Sequence, residues 1–377
     1  MFNFLGAKNK YNYEVVFISP DINSGGAENI LFNIAKTINK EDIVIISLTD
    51  IGFYGSKLKD KGYKLYALNM KKNFLILFKF IHLIILINKL RPKYVHTWLY
   101  HANLVGGIAA KISGAKKLIW TIHHDFEYSN FFVFIELKLL IILSYLLPDI
   151  IIYGSDISKF NHQYNGFIKR KSITINNGVC LNKFKPTKKL RKYFRDKFNI
   201  SKDTLFLGNI ARYHPLKDHE TLLKALEILK NQNVDFKCIF IGPGLSRNNY
   251  KLKSKIKKYG LNEEIILHGK SLEVNKVINS FDINILTSIK ECSPISIIEC
   301  MAVGIPCICT DVGDASHLIG KSGWVFPIYD YFAIASCIKY IAKNKKILIK
   351  KGILSRKIIQ QNYSLRKMIY EYKNLYV

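Results

Sequence analysis

Residues 288–304 read Ser-Ile-Lys-Glu-Cys-Ser-Pro-Ile-Ser-Ile-Ile-Glu-Cys-Met-Ala-Val-Gly, and they follow a strand-like apolar run at 283–287. Ser293 and Pro294 supply an N-cap and a proline at the first helical position, and Gly304 ends the predicted helix. Glu291 is therefore expected on a loop after a strand, and Glu299 between one and two turns into the next helix. This order is typical of open α/β sheets, which bind ligands at the carboxyl ends of their strands.

The predicted helix start offers free N–H groups to a phosphate. A carboxylate on each side of such an anion site suits the hydroxyls of a sugar and of a ribose. Pairs of acids at this spacing are common by chance, so it is the position of Glu291 and Glu299 at a strand–helix junction that favours this interpretation.

The chain has 377 residues, 49% of them hydrophobic, which is enough for two domains with large cores. Its net charge of +29 comes from 57 basic and 28 acidic side chains, and eight of the basic residues are Arg. Because Arg is scarce and no nucleic-acid-binding motif is present, a nucleic-acid partner is not expected. Two interpretations of the charge remain: a compositional bias toward Lys, Ile and Asn, or attraction to an anionic membrane surface.

Seven cysteines without paired metal-type spacing indicate free thiols in a reducing compartment. The start of the chain lacks the pattern of a signal peptide. Apolar segments at 74–90 and 131–147 are too short and too charged for membrane spans, so they are predicted to be buried or interfacial helices. The expected location is the cytoplasm, either free or peripheral on the inner face of the membrane.

Strand and helix patterns alternate along the whole chain, which predicts parallel, doubly wound sheets. The first half has predicted strands at 13–19, 42–48, 94–96, 118–122, 149–153 and 173–176. A linker is expected at 184–192. The second half has predicted strands at 205–210, 237–241, 264–268, 283–287 and 307–309, and a final helix at 364–376. Two similar α/β domains that face each other across a cleft are the expected architecture.

Two further loops suit a phosphate. Gly25 and Gly26 follow the first strand and open a helix, although they do not form the dinucleotide G-x-G-x-x-G pattern. Arg212 and Lys217 lie beyond the strand at 205–210, where a guanidinium and an ammonium fit a diphosphate. The alternatives are an ordinary turn between strand and helix for the glycines and two solvated surface charges for the cations.

Together these motifs resemble the retaining GT-B glycosyltransferases of the family-four group, which use nucleotide sugars. The resemblance covers nearly the whole chain. It rests on motifs that occur in the expected order: Gly-Gly-Ala-Glu at 25–28, His-Thr-Trp-Leu-Tyr-His-Ala-Asn at 96–103, Thr-Ile-His-His at 121–124, Asn-Gly-Val at 177–179, Ala211-Arg212 with Lys-Asp-His at 217–219, Gly-Pro-Gly at 242–244, and 291–299 with Ala302.

The resemblance implies a role for each matching residue. Arg212 and Lys217 would hold the donor diphosphate, Glu299 the ribose hydroxyls, and Glu291 the donor sugar. The implied catalytic set is His123, His124, Arg212, Lys217 and Glu291, with His123 favoured over His124 from the Thr-x-His spacing. The implied donor-binding set is Gly25, Gly26, Arg212, Lys217, Gly242, Ser293, Pro294, Ile295, Ser296 and Glu299. The implied acceptor side is His96, Tyr100, His101 and Asn103.

The resemblance also implies transfer of a sugar from a nucleoside diphosphate to an acceptor hydroxyl, with retention of configuration and without a metal or other cofactor. The chain has no Asp-x-Asp motif, in agreement with this. Expected partners are a nucleotide sugar and a glycan or lipid-linked acceptor, as in the assembly of capsule, lipopolysaccharide or another surface polysaccharide. The alternatives are a nucleotide-sugar epimerase of the same fold and, more remotely, a basic nucleic-acid-binding protein.

The expected domains are 1–186, with 360–377 packing back on it, and 187–359. Cys292, Ser293 and Cys300 differ from residues common in the family, and this leaves donor specificity open. Finally, lysines at 57, 59, 61, 64, 71 and 72 precede the apolar run 74–87 in the half expected to hold the acceptor. This composition favours an interfacial surface on an anionic membrane, and the alternative is an ordinary core-packing helix.

Overall fold

The computed structural model describes residues 11–23, 25–70, 75–127 and 130–376. It divides into two compact units: Met1–Asn176 with Met368–Val377, which we call unit 1, and Asn177–Lys367, which we call unit 2. The boundary expected from the sequence is 186/187, with the chain returning to the first domain at 360.

Unit 1 is built on a seven-stranded parallel sheet with the order β3-β2-β1-β4-β5-β6-β7. β1 and β2 are almost entirely buried, as is typical of parallel strands covered by helices on both faces. The strands are β1 (Tyr13–Ser19), β2 (Ile43–Ser47), β3 (Lys64–Ala67), β4 (Pro92–Trp98), β5 (Lys117–Ile122), β6 (Ile150–Tyr153) and β7 (Ser172–Thr174). This order is that of a Rossmann-like domain.

The helices of unit 1 are α1 (Gly26–Ala35), α2 (Gly52–Lys59), α3 (Ile76–Leu90), α4 (Leu99–Ile112), α5 (Phe131–Leu146) and α6 (Asp156–Tyr164). α1 packs against α2, and α4 packs against both α3 and α5. Because parallel crossovers are right-handed, the strand order places α1 and α2 on one face of the sheet and α3 to α5 on the other.

Unit 2 repeats the architecture with six parallel strands in the order β10-β9-β8-β11-β12-β13. The strands are β8 (Leu205–Ile210), β9 (Phe236–Ile241), β10 (Ile265–Gly269), β11 (Ile283–Leu286), β12 (Cys307–Thr310) and β13 (Trp324–Phe326). The helices are α7 (Lys188–Lys197), α8 (His219–Asn231), α9 (Tyr250–Lys258), α10 (Val274–Val277), α11 (Ile295–Val303), α12 (Ala315–Ile319), α13 (Tyr331–Lys343) and α14 (Lys346–Asn362). The doubly wound parallel fold expected from the sequence is confirmed.

Several elements differ from the expectation. α2, β3 and β13 were not identified, because β3 and β13 have only four and three residues and β3 begins with an exposed lysine. Most of the predicted linker at 184–192 belongs to or leads into α7. α11 begins at Ile295 with Pro294 as its N-cap residue and without a side-chain cap, so Ser293 does not cap it as predicted. Gly304 ends α11 with φ +81°, as predicted.

The last helix, α15 (Leu365–Lys373), is followed by a 3₁₀ turn at Asn374–Tyr376. Residues from Met368 onward belong to unit 1, and Tyr372 and Tyr376 are buried there. Over the described part of the chain, no helix has the length and apolarity that crossing a membrane requires.

Candidate functional site

In unit 2, the loops that follow β8 and β11 are joined by hydrogen bonds. The backbone N–H of Ile289 donates to the Leu216 carbonyl oxygen at 2.9 Å, and Thr287 Oγ1 donates to the Asp218 carbonyl oxygen at 2.9 Å. Asp218 has φ +40° and caps α8 by accepting from the N–H of Thr221 at 3.2 Å. These contacts hold the segment 215–218 against the segment 287–289, at the carboxyl ends of two neighbouring strands.

This arrangement brings together two predicted site residues, Lys217 and Glu291. Lys217 Nζ and Glu291 Oε1 form an ion pair, and Ser288 Oγ donates to the same carboxylate oxygen at 2.7 Å. The two side chains are only 18% and 12% exposed, so water screens their attraction less than at the surface. The site therefore holds one fixed cation and one fixed anion in contact.

Two glycines allow the surrounding loops to approach closely. A Cβ at Gly313, which has φ +50°, would lie 2.2 Å from the Glu291 carbonyl oxygen. A Cβ at Gly242, which has φ +147°, would lie 1.9 Å from the Ala211 carbonyl oxygen. The predicted donor-binding glycine therefore shapes the start of the loop that carries Arg212. Arg212 itself is exposed and makes no hydrogen bond or ion pair with any residue that the structure describes.

Glu299 lies in the second turn of α11, at the position expected from the sequence. Its side chain forms no hydrogen bond to any described residue, and burial raises its pKa to about 7, against a smaller opposing effect of Lys183. The start of the same helix has no side-chain cap, which leaves first-turn N–H groups at Ile295 and Ser296 available to an anion. α11 thus combines an anion-binding end with a carboxylate suited to hydroxyl donors.

In unit 1, Gly25 is the N-cap residue of α1, and Gly26 is its first residue. A Cβ at Gly25 would lie 2.0 Å from Glu28 Oε2, so the glycine makes room for this carboxylate to fold back over the helix start. Burial raises the pKa of Glu28. Glu28 was part of the quoted motif, but no role was assigned to it. Its carboxylate lies at the end of α1 where an anion would bind.

The structure distinguishes the two adjacent histidines. The imidazole of His123 stacks on Trp98 with 5.0 Å between ring centroids and an interplanar angle of 23°. Both of its ring nitrogens are buried and without a hydrogen-bond partner among the described residues. Burial lowers its pKa to about 3, so the ring is neutral near pH 7 and presents one donor and one acceptor. His124 is the more exposed residue of the two; its ring contacts Tyr100, and partial burial also lowers its pKa.

The four residues expected on the acceptor side have different environments. His96 is enclosed, with its ring nitrogens bonded to Tyr376 Oη at 2.7 Å and Thr121 Oγ1 at 2.6 Å. Asn103 is also enclosed and accepts from Thr97 Oγ1 at 2.6 Å. These contacts give His96 and Asn103 a packing role, and they do not support the expectation that the two side chains face an acceptor.

The remaining two acceptor-side residues differ from each other in exposure. The buried hydroxyl of Tyr100 bonds to His162 Nε2 at 2.6 Å, whereas His101 is exposed and pairs with Glu136 at 3.3 Å. His101 is therefore the one member of the predicted acceptor set whose side chain is accessible in unit 1.

Sequence reasoning missed several residues of both sites. Ser288 begins the quoted stretch, yet a serine three residues before a glutamate gives no signal of a contact. Trp98 lies inside the quoted motif 96–103, but only the fold shows that it stacks on His123. Tyr372 lies in the tyrosine-rich last helix, and its stacking on Trp98 joins distant parts of the chain.

Family models match both halves of the chain. Residues 24–183 match the model described as Glycosyltransferase Family 4, and residues 191–364 match Glycosyl transferases group 1. Together the two models cover most of the chain; the first includes β2 to β7 of unit 1, and the second includes all six strands of unit 2.

The individual relatives have low sequence identity to this chain. The chain is 21% identical over 306 residues to UDP-Gal:alpha-D-GlcNAc-diphosphoundecaprenol alpha-1,3-galactosyltransferase of Escherichia coli, covering 78% of this chain and 77% of that one. It is 23% identical over 305 residues to the capsular polysaccharide biosynthesis glycosyltransferase CapM of Staphylococcus aureus, covering 78% and 79%.

The solved structure of Anabaena Alr3699/HepE in complex with UDP has a TM-score of 0.87 to this chain, with 18% identity, and it covers 96% of this chain and 98% of that one. At this identity the likeness shows the fold. Both sheets match this GT-B architecture, and both halves match the family models. The chain therefore belongs to the GT-B glycosyltransferases of the group 1 type.

Proposed function

We propose that this glycosyltransferase transfers a sugar from a nucleoside diphosphate sugar to an acceptor hydroxyl with retention of anomeric configuration. Surface polysaccharide or lipid-linked glycan assembly is the setting that its relatives favour. The name of the Escherichia coli relative specifies UDP-Gal and a diphosphoundecaprenol-linked acceptor, and the Staphylococcus aureus relative belongs to capsule biosynthesis. No observation favours the epimerase or the nucleic-acid alternative.

The main support for the proposal is the raised pKa of Glu299, which lies one turn after the uncapped start of α11. The Glu299 carboxylate is half-buried and has no hydrogen-bond partner among the described residues, and its desolvation raises its pKa. Two adjacent ribose hydroxyls would donate to it, while the nucleotide phosphates bind the uncapped N–H groups of the same helix. One helix thus supplies complementary groups for both parts of a nucleoside diphosphate.

Lys217 and Arg212 supply the positive charge. Lys217 is held in place by Glu291 and by the hydrogen bonds between its loop and the segment 287–289. Arg212 is exposed and unpaired among the described residues, so its guanidinium can turn toward an incoming diphosphate. Charge on the diphosphate grows as the glycosidic bond breaks, and fixed cations stabilise that transition state without reorganisation.

The carboxylates support displacement without a covalent glycosyl intermediate. A double displacement needs a free carboxylate nucleophile beneath the sugar. Glu291 is engaged by Lys217 and by Ser288, and we assign Glu299 to the ribose hydroxyls. His123 is neutral and a poor proton acceptor, so we assign it a hydrogen bond to a substrate hydroxyl rather than general-base chemistry.

The decisive experiment is thermal stabilisation by a panel of nucleotide sugars on the parent, Glu299→Gln and the control Glu264→Gln. Glu264 is also a glutamate of unit 2 with little exposure, but it pairs with Lys230. A donor at about a hundred times its Kd stabilises by about 2.7 kcal/mol. We expect the parent and Glu264→Gln to be stabilised by the same donor, and Glu299→Gln to need a higher donor concentration.

If no nucleotide sugar stabilises the parent, the donor class is wrong. If Glu299→Gln binds as tightly as the parent, the ribose assignment is wrong. Retention is tested separately, by measuring the anomeric proton coupling of the product formed with the stabilising donor.

We also propose that unit 1 attaches to an anionic membrane surface, from which a lipid-linked acceptor would be taken. α3 buries one face and exposes the other, where Leu77 and Phe78 are 63% and 67% exposed. α5 exposes a stripe at helical spacing: Phe132, Ile135, Leu139, Ile142 and Leu146. Exposed apolar surface of this extent, on two helices that flank α4, is unusual for a monomer.

The charges around this face match an anionic surface. α3, α4 and α5 together carry four lysines, Lys79, Lys89, Lys111 and Lys138, and one acidic residue, Glu136, so their net charge is positive, although Lys111 also pairs with Asp149 at 3.9 Å. Each lysine near an anionic leaflet contributes about 1 kcal/mol. Lys57 and Lys59, which were expected on this surface, lie on α2, on the opposite face of the sheet. Lys71, Lys72 and Phe74 lie outside the described residues.

Sedimentation with liposomes of rising anionic lipid content, at low and high salt, tests this attachment. We expect binding that grows with anionic lipid and weakens in salt. Phe132→Ser with Ile142→Ser should reduce it, whereas the control pair Ile349→Ser and Ile353→Ser, which are similarly exposed residues of α14 in unit 2, should not. Binding that ignores lipid charge and salt, or equal loss in both pairs, would contradict the proposal.

A further inference from the structure

Trp98, the last residue of β4, lies at the centre of an aromatic cluster in unit 1. Its ring is near-parallel to His123 with 5.0 Å between centroids, to Tyr372 with 5.9 Å, and to His96 with 5.4 Å. The indole is 1% exposed. One side chain of β4 therefore connects the candidate site histidine to the last helix of the chain.

The backbone on both sides of this cluster is constrained. Leu99, directly after Trp98, has φ +67°, a conformation that is rare for a bulky residue and that persists only where the surroundings hold it. Gly154, directly after β6, approaches the imidazole so closely that a Cβ there would lie 2.7 Å from His123 Nδ1. The ring is thus bounded by an indole and by a residue without a side chain.

The orientation of a functional histidine is usually set by a hydrogen bond to one ring nitrogen. His123 has no such bond to any described residue, because both nitrogens are buried without a partner. Its orientation must then come from packing. We infer that Trp98 and Gly154 position the His123 imidazole for the sugar substrate, and that Tyr372 supports Trp98 from the C-terminal segment.

This inference rests on the proposed role of His123 and adds three positioning residues to it. It also gives the C-terminal segment a function beyond stability. Tyr376 bonds to His96, and His96 bonds to Thr121, only two residues before His123. The segment 368–376 therefore contacts β4 at two points, through Tyr376 on His96 and through Tyr372 on Trp98.

The test compares Trp98→Leu with Trp120→Leu. The two tryptophans lie in neighbouring strands of unit 1 and are at most 1% exposed. Each has an indole N–H without a partner among the described residues. They differ in that Trp98 stacks on His123, whereas the structure shows no such stacking for Trp120 among the described residues. We expect similar losses of thermal stability. Trp98→Leu should lower kcat about 10- to 100-fold with little change in KM for the donor, as misplaced catalytic groups do. Trp120→Leu should keep kcat close to that of the parent.

A spectroscopic readout separates positioning from general damage. In protein labelled with ¹⁵N-histidine, the His123 signals, assigned through His123→Gln, report its tautomer and pKa. Trp98→Leu should admit water and raise the pKa of His123 toward its ordinary value, and Trp120→Leu should not. Gly154→Ala should shift the same signals by displacing the ring.

At Tyr372, a conservative substitution can be compared with a disruptive one. Tyr372→Phe keeps the stacked ring and should keep kcat, whereas Tyr372→Leu should lower it. Equal losses of kcat in the Trp98 and Trp120 variants, or unchanged His123 signals in Trp98→Leu, would overturn the positioning inference. Full turnover in His123→Ala would instead overturn the proposed role of the histidine, while the spectra would still decide whether Trp98 positions the ring.

Discussion

In unit 2 the side chains of the candidate site are held by charge, whereas in unit 1 the candidate histidine is held by aromatic rings. Lys217, Glu291 and Ser288 fix one another through an ion pair and a hydrogen bond. His123 has no such partner among the described residues and lies against Trp98. Two domains of the same fold thus use different interactions at the carboxyl ends of their strands.

Burial also determines how single titratable groups in each unit respond to pH. Burial in unit 1 lowers the pKa of His96 and His123 to about 3 and that of His162 to about 4, so acid destabilises this unit. Burial in unit 2 raises the pKa of Glu299 to about 7, so ionisation of this carboxyl destabilises unit 2 as the pH rises. The same physical cause, desolvation, has opposite effects on an acid and on bases.

The largest expected effect is a loss of turnover when the ion pair of unit 2 is broken. Lys217→Ala should lower kcat about 10²- to 10³-fold, because it removes a fixed charge that stabilises the leaving diphosphate. It should also lower the melting temperature, because Glu291 is left without its cation. The measurement is steady-state turnover with the stabilising donor, and Lys230→Ala is the control, since Lys230 forms a Lys–Glu pair away from the site.

Adding Glu291→Gln to Lys217→Ala separates stability from catalysis. The double variant should regain melting temperature, since no unpaired carboxylate remains, without regaining turnover. If turnover returns together with stability, Lys217 has only a structural role.

The second effect is the acid sensitivity of unit 1. Each of His96, His123 and His162 has a folded pKa well below the unfolded value of about 6.5, so stability is present above that value and is lost as the pH falls below it. Between pH 7.5 and 6, the three should together reduce the free energy of unfolding of unit 1 by about 2 kcal/mol.

Urea unfolding can follow unit 1 alone. Trp324→Phe leaves Trp98 and Trp120 as the fluorescent residues, and both belong to unit 1. His162→Gln should reduce the pH slope, and His101→Gln, at an exposed position, should not. A free energy of unfolding that is equal at the two pH values would rule out the buried, neutral histidines.

The third effect concerns donor affinity. Ribose hydroxyls donate to the ionised form of Glu299, so affinity should rise as the pH increases through about 7. Between pH 6 and 8 the ionised fraction grows about tenfold, and Kd should fall by about the same factor. The probe is the intact nucleotide sugar, because both phosphates are esterified and do not titrate in this range. Calorimetric titration of Glu299→Gln should show a Kd independent of pH, and a pH dependence that persists in this variant would locate the titration elsewhere.

The smallest expected effect is that of EDTA on turnover. If Lys217 and Arg212 neutralise the diphosphate, dialysis against EDTA should leave turnover unchanged within measurement error. Turnover that is lost in the chelator and restored by magnesium or manganese would show that a metal ion performs this role.

The sequence by itself determined the elements that depend on local patterns. The alternation of apolar strands and amphipathic helices specified both parallel sheets. Gly304 specified the end of α11, because only a residue without a Cβ readily adopts its φ of +81°. The position of Glu299 in the second turn followed from that helix, and Lys217 and Glu291 were each identified as a loop residue after a strand. These features were predictable because they depend on residues within one or two turns of each other.

The tertiary structure decided everything that depends on distant contacts. His123 and His124 are adjacent and chemically identical, and only the packing of Trp98 against one of them distinguishes the two. His96 and Asn103 carry polar groups typical of a site, yet the fold encloses both. The apolar residues of α5 resemble those of a core helix, but no described element covers the stripe that begins at Phe132. Burial is a property of the neighbours that the fold brings together, and residue type alone does not specify them.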